Sequence, residues 1–404
     1  MDDPPRNLKD MLSEAKDASE LMVDLAYAAL FYDHVRMAEE VERLEDRLSS
    51  LVHEMRAVAV LAARSPHDAD AMSGVLHLVA AIEDIGDAAV AIAHIITRHL
   101  GIPPALIADL AAADEISHRV RVREGSDLAG RRLEDVELTT DLGMRVVAIR
   151  RGDQWIIDPD GDDTMMPGDV LITRGQVDGV GALRQMAGAP GWRPPEIDED
   201  PAIGDLDRAV DVLVEMKNLS EVAVGLAYSA LLNDDETIAA EVSAIEDRLD
   251  EMREQLELWV LRAAAETIDP SQLRSLLHLA AAAAAIGDSA AEIVWLVEND
   301  EEMHPILKVA LGTADEVIVR MSVRSGSDLD GARLRGSLLG ETGFHVLALR
   351  RGGRLSRPRG TAAALNAGDD VIAIGPYEGQ EELAQLCGHQ AVTDEDTGIV
   401  EVVR

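Results

Sequence analysis

The sequence has little cysteine and no long hydrophobic run. Cys387 is the one cysteine among 404 residues, which excludes a disulfide within the chain and a thiolate metal cluster and predicts a reducing, intracellular compartment. The longest apolar run, LLHLAAAAAAIG, is about half the roughly 20 residues that a membrane-spanning helix needs. No apolar segment follows the acidic start MDDPPRN, so we expect neither a signal peptide nor direct insertion into a membrane.

Positive charge is also scarce. The chain has 76 acidic residues against 37 basic ones, a formal charge of −39, and its lysines are Lys9, Lys16, Lys217 and Lys308. So negative a surface repels nucleic acid and anionic lipid, and no nucleic-acid partner is expected. Hydrophobic residues make up 47% of the chain, which is too many for a disordered acidic protein. The composition is typical of a halophilic cytoplasm, where salt screens the repulsion between carboxylates.

The chain contains an internal repeat with two copies. LAYAAL at Leu25 returns as LAYSAL at Leu226, and GSDLAGRRL at Gly125 returns as GSDLDGARL at Gly326. Both pairs are 201 residues apart, so few insertions separate the copies. Such a fixed period determines the architecture, because each copy must fold as the same unit.

Each copy has a helical half and a β-rich half. The first half has apolar residues at steps of three and four, which predicts a three-helix bundle. The second half has short β-rich runs between glycine turns, which predicts a small α+β module. The fold class is therefore multidomain, with two repeats of a helical bundle followed by an α+β module. The predicted segments are bundles at 1–112 and 205–312, modules at 113–190 and 313–390, a linker at 191–204 and an acidic tail at 391–404.

Two carboxylate pairs lie in the first bundle. Glu20 and Asp24 are four residues apart on the first helix, and Glu83 and Asp87 are four apart on the third, so each pair lies along one helix stripe. If the pairs stand at similar height, their oxygens could hold Mg, Mn, Fe or Zn. The alternative is that Glu20 and Asp24 point to solvent, as carboxylates of acidic proteins commonly do.

The helical halves resemble the PhoU family. The resemblance rests on KDASELMVDLAYAAL and AIEDIGDAAVAIAH. PhoU bundles carry Glu/Asp-x-x-x-Asp motifs that bind metal clusters, and the four carboxylates of the first bundle fall on those positions. In the second copy Glu221 and Asp288 remain, with Gly225 and Ala284 at the other two positions. The resemblance therefore implies a divalent, iron or zinc site on the first bundle and a mainly structural second bundle. His94, His77 and His278 are expected to have packing or surface roles.

The β-rich halves resemble the TrkA-C domain, also called RCK-C, of potassium uptake and channel proteins. The match runs through GMRVVAIRRG and PGDVLITRG in the first copy and GFHVLALRRG and AGDDVIAIG in the second. In that family the domain pairs face to face and binds small ligands, in some members a cyclic dinucleotide. Two modules in one chain could pair internally, or a homodimer could supply the partner.

Arginines support an anionic ligand of the second module. The segment between Val317 and Gly360 contains nine arginines and three acidic residues. The corresponding part of the first module contains eight arginines and seven acidic residues. Guanidinium groups suit phosphate oxygens, so a cyclic dinucleotide or another phosphate-bearing ligand is predicted. These arginines could instead neutralise an acidic neighbour. The predicted ligand-binding residues are Arg324, Arg333, Arg350 and Arg351.

One glycine motif is a weak sign of nucleotide binding. Gly179-x-Gly181 enters a helix after a strand, but Arg184 replaces a third glycine, so we interpret the motif as a helix start. The nucleotide-binding lobe that precedes TrkA-C in many relatives is absent from this sequence, and NAD or ATP binding of that kind is not expected.

These features together predict a cytoplasmic regulatory protein that is not an enzyme. It would act on cation transport, chiefly potassium, by binding a membrane transporter or channel and sensing a small anion. The alternative from the PhoU resemblance is a metal-binding regulator of phosphate transport or signalling. A metal-dependent hydrolase is a third possibility, since carboxylate-bound metals activate water, but the sequence shows no nucleophile and base to support it.

Overall fold

The computed structural model describes most of the chain. The described residues are 7–103, 106–107, 110, 115–136, 138–152, 154–192, 204–264, 270–299, 303–333, 342–352, 354–356, 364–393 and 399–403.

The first helical half forms three helices. They are α1 (Leu8–Tyr32), α2 (Val35–Ala62) and α3 (Pro66–Thr97). The side chain of Asn7 caps α1, and Ser65 caps α3 with Pro66 in its first turn, where a missing backbone N–H costs nothing. Because Ala63 is extended, α2 ends at Ala62.

The second helical half repeats this arrangement. Its helices are α6 (Asp205–Asn233), α7 (Glu236–Ala263), α8 (Pro270–Glu298) and a short α9 (Pro305–Gly312). The turn after the first helix is the same in both copies, since Asp33 and Asp234 both adopt the left-handed conformation that ends a helix. The predicted helical bundles are therefore present in both copies.

The first β-rich half is a four-stranded antiparallel sheet with two short helices. Its elements are β1 (Glu115–Arg121), α4 (Leu138–Leu142), β2 (Met144–Arg151), β3 (Gln154–Ile157), β4 (Val170–Gln176) and α5 (Val180–Met186). The strand order is β1-β4-β2-β3. A register shift between Val146 and Ala148 interrupts the pairing of β2 with β4.

The second β-rich half has the same sheet. Its elements are β5 (Glu316–Ser322), β6 (His345–Arg351), β7 (Arg354–Ser356), β8 (Asp370–Pro376) and α10 (Gln380–Leu386), in the order β5-β8-β6-β7. The register shift recurs between Val346 and Ala348. In the tail region, β9 (Gln390–Thr393) pairs with β10 (Val400–Val403).

The helical halves of the two repeats pack together, and so do the two β-rich halves. Each compact unit is therefore built from two segments that are far apart in the chain. One compact unit contains α1–α3 and α6–α9, and the other contains β1–β4 with β5–β8 from Val319 onward. In the helical unit α3 packs against α8, and the apolar stripes of both bundles form the core.

In the sheet unit the two modules contact each other through α4 and β8. Gly343, which has a positive φ, approaches the carbonyl of Thr139 so closely that a Cβ atom at residue 343 would collide with it. The modules of the two repeats therefore pair within one chain.

Among the described residues, one helical segment, Leu273–Glu298, is long and apolar enough to cross a membrane by length and composition. Within its most apolar window, 67% is buried inside the protein. That degree of burial is typical of a core helix in a bundle.

Candidate functional site

The carboxylates of α1 lie against the second bundle. Lys16 is fully buried, and its Nζ donates to Glu20 Oε2 at 2.7 Å and to the carbonyl of Glu316 at 2.9 Å. The same ammonium lies 5.5 Å from the ring centroid of Tyr228 on α6. Asp24 is only 8% exposed and Glu20 is half-buried, so the alternative that these two carboxylates point to solvent is wrong.

The second bundle makes the equivalent contact with the first, from a lysine on α6 to a tyrosine on α1. Lys217 donates to Glu221 at 2.6 Å and lies 5.3 Å from the ring centroid of Tyr27. Burial, and then the nearby Glu221 carboxylate, raises the pKa of Tyr27 well above its ordinary value. Burial opposes the charge of Lys16, but Glu20 and Asp17 outweigh it and its pKa is raised. Each lysine thus joins one bundle to an aromatic ring of the other.

The carboxylates of α3 lie beside α2. Arg56 on α2 donates to Glu83 at 2.6 Å. Partial burial and then the charges of Asp87, Asp46 and Glu83 raise the pKa of Glu45, which shows that Glu45 shares this acidic groove. The four predicted ligands are therefore divided between two surfaces, one against α6 and one against α2, and the described structure does not bring them together.

A tighter acidic cluster lies in the second bundle, where the sequence predicted only a structural role. Glu246 and Asp250 on α7 and Asp288 on α8 each place a carboxylate oxygen within 4.8 Å of the others. At the offset of 201, the corresponding residues of the first copy are Glu45, Ser49 and Asp87. The sequence signal that was missed is the spacing of four between Glu246 and Asp250.

Both grooves contain carboxylates of the second and third helices, but two positions differ between the copies. The first copy has Glu83 where the second has Ala284, and the second has Asp250 where the first has Ser49. The second bundle therefore lacks one carboxylate on its third helix, α8, and has an additional carboxylate on its second helix, α7.

The cluster on α7 and α8 has the chemistry of a site for a hard cation. Burial and then Asp250 raise the pKa values of both Glu246 and Asp288. Oxygen donors alone suit Mg²⁺, Ca²⁺ or Mn²⁺, and a bound cation would offset their mutual repulsion. The donor set therefore fits a divalent metal.

Arg351, predicted to bind a ligand, holds a turn of its own module. Its guanidinium donates to Asp369 at 2.7 Å from Nε and 2.5 Å from Nη2, and to the carbonyl of Ala364 at 2.8 Å. Arg151 makes the same fork with Asp169 and the carbonyl of Thr164 in the first module. The bond from Arg351 lowers the pKa of Asp369. This repeated pair links the end of the second strand to the turn before the fourth.

The other predicted arginines of the second module are spread around it. Arg350 lies on the opposite face of β6 from Arg351, because successive side chains of a strand point to opposite faces of the sheet. Arg324 donates to the carbonyl of Gly388 at 3.2 Å, and Arg333 forms an isolated bridge with Ala364. Arg335, Arg357 and Arg359, which contributed to the predicted positive charge, lie outside the described residues.

The histidines take part in helix packing. His77 stacks on Trp295 with ring centroids 5.1 Å apart, and its Nε2 lies 2.8 Å from the carbonyl of Glu292 on α8. His94 lies 3.5 Å from Glu42, and partial burial and then Arg98 lower its pKa. Neither histidine belongs to the α7–α8 cluster.

The glycine motif has a packing explanation. Gly179 precedes α5, and a Cβ atom there would collide with the carbonyl of Leu142. Gly379 stands in the same relation to the carbonyl of Thr342 in the second module. Close backbone approach therefore accounts for this glycine in both copies.

Comparison with protein-family models assigns both halves of the repeat. The PhoU domain matches residues 12–96 and 213–297, and the TrkA-C domain matches residues 118–188. The chain contains two PhoU domains and a TrkA-C domain. The module of the second repeat has the same strand order as the matched TrkA-C domain, and we call it the second TrkA-C module. Both domain types are regulatory.

Solved structures give distant similarities. PhoU from Pseudomonas aeruginosa is 15% identical with a TM-score of 0.37, over 72% of this chain and 93% of that chain. The GsuK channel bound to NAD is 13% identical with a TM-score of 0.18, over 76% and 65%, and the GsuK RCK domain is 13% identical with a TM-score of 0.17, over 76% and 79%. No curated protein matches the chain.

Proposed function

We propose that the protein is a regulatory subunit of cation transport, specifically potassium transport. The observation that carries the proposal is the TrkA-C match in the same chain as two PhoU matches. TrkA-C resembles the regulatory part of potassium uptake and channel proteins. The proposed location is the cytoplasm, at the inner face of the membrane through a partner.

In this proposal the sheet unit senses a small anion. Two TrkA-C modules contact each other within one chain through α4 and β8, so a ligand that prefers one packing of the pair would shift their equilibrium. Arg324, Arg333 and Arg350 of the second module stay in the proposal as ligand-binding residues, whereas Arg351 is engaged by Asp369. A cyclic dinucleotide or another phosphate-bearing metabolite is the proposed ligand.

The helical unit is proposed to contact the transporter or channel. Exposed apolar side chains near the ends of α2 and α7 suit a protein partner, since such residues are otherwise few on this acidic surface. They are Val60, Leu61, Leu258 and Leu261. A homodimer remains part of the proposal, because an internal pair of modules does not prevent association through the helices.

The experiment is ion uptake in the source organism. Deletion of the gene should change the initial rate of ⁸⁶Rb⁺ uptake, and the intact gene supplied on a plasmid should restore it. Uptake of ³²P-phosphate is measured in the same cells. A change in phosphate uptake with unchanged ⁸⁶Rb⁺ uptake would contradict the proposal.

The second candidate function is a metal-binding regulator of phosphate transport or signalling. The α7–α8 cluster and the two PhoU matches favour it. In this candidate function, the proposed metal ligands are the sequence-predicted set of Glu20, Asp24, Glu83 and Asp87 and, separately, the α7–α8 cluster. The uptake experiment distinguishes this candidate, because it predicts the phosphate effect without the potassium effect.

A further inference from the structure

The two helical bundles meet in a reciprocal contact. Lys16 of the first bundle reaches Tyr228 of the second, and Lys217 of the second reaches Tyr27 of the first. At the offset of 201 these two pairs are equivalent. A contact between two like units related in this way makes each of its interactions twice. The packing of α3 against α8 therefore also has two equivalent ends.

One end of the α3–α8 contact is formed by a histidine and a tryptophan. The rings of His77 on α3 and Trp295 on α8 stack with their centroids 5.1 Å apart. The Nε2 atom of His77 also lies 3.1 Å from Oε2 of Glu292. A cationic imidazole therefore has a carboxylate partner at this end, in the form of a charge-assisted hydrogen bond.

The other end has the same histidine but different neighbours. At the offset of 201, the equivalents of the histidine, the glutamate and the tryptophan are His278, Ala91 and His94, respectively. His278 therefore faces an imidazole in place of an indole and a methyl group in place of a carboxylate. Within one turn of His278, α8 carries Arg274 and no acidic residue. This end of the contact offers no carboxylate of α3 or α8 to a cationic imidazole.

The charged groups that act on His94 come from three helices. Arg98 of α3 has its Nη2 atom 3.4 Å from Nε2 of His94. Glu42 of α2 has its Oε1 atom 3.5 Å from the same nitrogen, and this oxygen also accepts a hydrogen bond of 3.2 Å from Thr97. The third group is His278 of α8. Among the described residues, α1, which also packs against α3, contributes no charge that acts on His94.

Protonation of His94 is unfavourable in the packed structure. Arginine donates hydrogen bonds and does not accept them, so the contact from Arg98 needs an unprotonated Nε2. Burial, and then the charge of Arg98, lowers the pKa of His94 from 6.5, while Glu42 opposes the effect and His278 adds to it. The neutral imidazole therefore stabilises the packed state above pH 6.5, and this contribution is lost as the pH falls through the lowered pKa of the folded state.

We propose that the His94 end of the α3–α8 contact is a pH-sensitive switch that loosens when His94 is protonated. The His77 end stays packed, because Glu292 can pair with a cationic imidazole there. The protein thus responds to acidification of its compartment at one end of the contact between its two PhoU domains. This inference goes beyond the proposed function, since a proton acts here without a metal or an anionic ligand.

The test is hydrogen exchange of the full chain, measured by mass spectrometry at about pH 7.5 and about pH 5.5, on either side of the ordinary histidine pKa. Each rate is divided by the intrinsic exchange rate at that pH. Peptides that contain His94 or His278 report on one end of the contact, and peptides that contain His77 or Trp295 report on the other.

Wild type should lose about fivefold of its protection at the His94 end at the lower pH. This value lies within the limit of roughly tenfold that one proton can supply one pH unit below the pKa of an open histidine. Protection at the His77 end should change less than about twofold, because the carboxylate there favours the cation.

Three variants compare the two ends. His94→Trp gives the first bundle the residue of the second, and the pH effect at this end should fall below about twofold. His94→Gln, which cannot be protonated, should give the same result and serves if the tryptophan variant does not fold. The matched variant, Glu292→Ala with Trp295→His, gives the His77 end the neighbours of the other end. Its His77 end should then lose about fivefold of its protection at the lower pH.

Four results would overturn the inference. Equal loss of protection in wild type and His94→Gln would mean that another group titrates. The others are unchanged protection of wild type over this pH range, equal loss at both of its ends, and a matched variant whose His77 end remains insensitive to pH. Because exchange is measured on the purified chain, these results do not depend on which ion the proposed partner transports.

Discussion

At the scale of single residues, the same arginine–aspartate fork recurs in both TrkA-C modules. Asp369 is 2% exposed and accepts bonds from Arg351 and from the backbone N–H of Asn366. A buried carboxylate with this many donors is stabilised in its charged form. The fork therefore fixes the turn before β8, and the sequence motif GD marks it in both copies.

Asp369→Asn should destabilise the protein at neutral pH. Loss of hydrogen bonds to a charged group costs about 1–3 kcal/mol of the free energy of unfolding. The pKa of Asp369 is lowered in the folded state from 3.8, so its contribution is present above that value and is lost as the pH falls through the folded pKa. Urea unfolding of both proteins at several pH values measures the difference.

The control for this prediction is Asp328→Asn, which alters an exposed carboxylate of the same module. We expect it to leave the unfolding midpoint unchanged. A difference between wild type and Asp369→Asn that stays constant from neutral to strongly acidic pH would show that the charge of Asp369 is not what stabilises the turn.

At the scale of elements, the groove between α7 and α8 differs from the groove between α2 and α3 of the first copy, because Asp250 stands where the first copy has Ser49. Asp250→Ser gives the second bundle the residue of the first and should lower affinity for Mn²⁺ roughly tenfold or more. Because the pKa values of Glu246 and Asp288 are raised, protons should begin to compete with the metal at a higher pH than for ordinary carboxylates. Isothermal titration with MnCl₂ measures both effects.

Ser49→Asp is the reciprocal variant. It adds a carboxylate beside Glu45 and Asp87 and should increase Mn²⁺ binding by the first bundle. If wild type and Asp250→Ser bind Mn²⁺ equally, the α7–α8 cluster is not a metal site.

The contact of α4 with β8 offers a second prediction at this scale. Gly343 and Gly143 occupy the same position in the two modules, and both have positive φ. A Cβ atom at residue 343 would collide with the carbonyl of Thr139, whereas a Cβ atom at residue 143 would meet nothing within 4 Å. Alanine at residue 143 should cost about 1–2 kcal/mol through backbone strain alone. Gly343→Ala should cost about 3 kcal/mol or more, because overpacking is added to the strain.

Urea unfolding compares the two glycine variants. Hydrogen exchange of the α4 amides provides a local measurement, and exchange should accelerate in Gly343→Ala and not in Gly143→Ala. Equal effects of the two substitutions would mean that the contact between modules does not contribute to stability.

At the scale of the whole molecule, the charge of −39 dominates. Repulsion among carboxylates weakens as the Debye length falls from about 10 Å at 0.1 M salt to about 3 Å at 1 M. The free energy of unfolding should therefore rise with KCl, most steeply below about 0.5 M where screening changes fastest. Urea titrations over a series of KCl concentrations measure it.

A flat response to KCl would contradict the prediction of a high-salt environment. A rise that is strictly linear in concentration would instead indicate exclusion of the salt from the protein surface.

Much of this protein was determined by its sequence alone. The offset of 201 established the repeat, and the spacing of apolar residues and glycine turns established helical bundles and four-stranded modules. These features are local, because helix and strand periods depend on neighbouring residues. The resemblances to PhoU and TrkA-C also rest on contiguous segments. The family models match the PhoU segments of both copies and the TrkA-C segment of the first copy.

Only the tertiary structure decided which residues meet. Glu20 and Asp24 share a motif with Glu83 and Asp87, but Glu20 bonds to a lysine that contacts α6, whereas Glu83 bonds to an arginine of α2. The cluster of Glu246, Asp250 and Asp288 joins residues from two different helices. Helix packing places these side chains together, and it depends on contacts between segments far apart in the chain, which a local pattern does not specify.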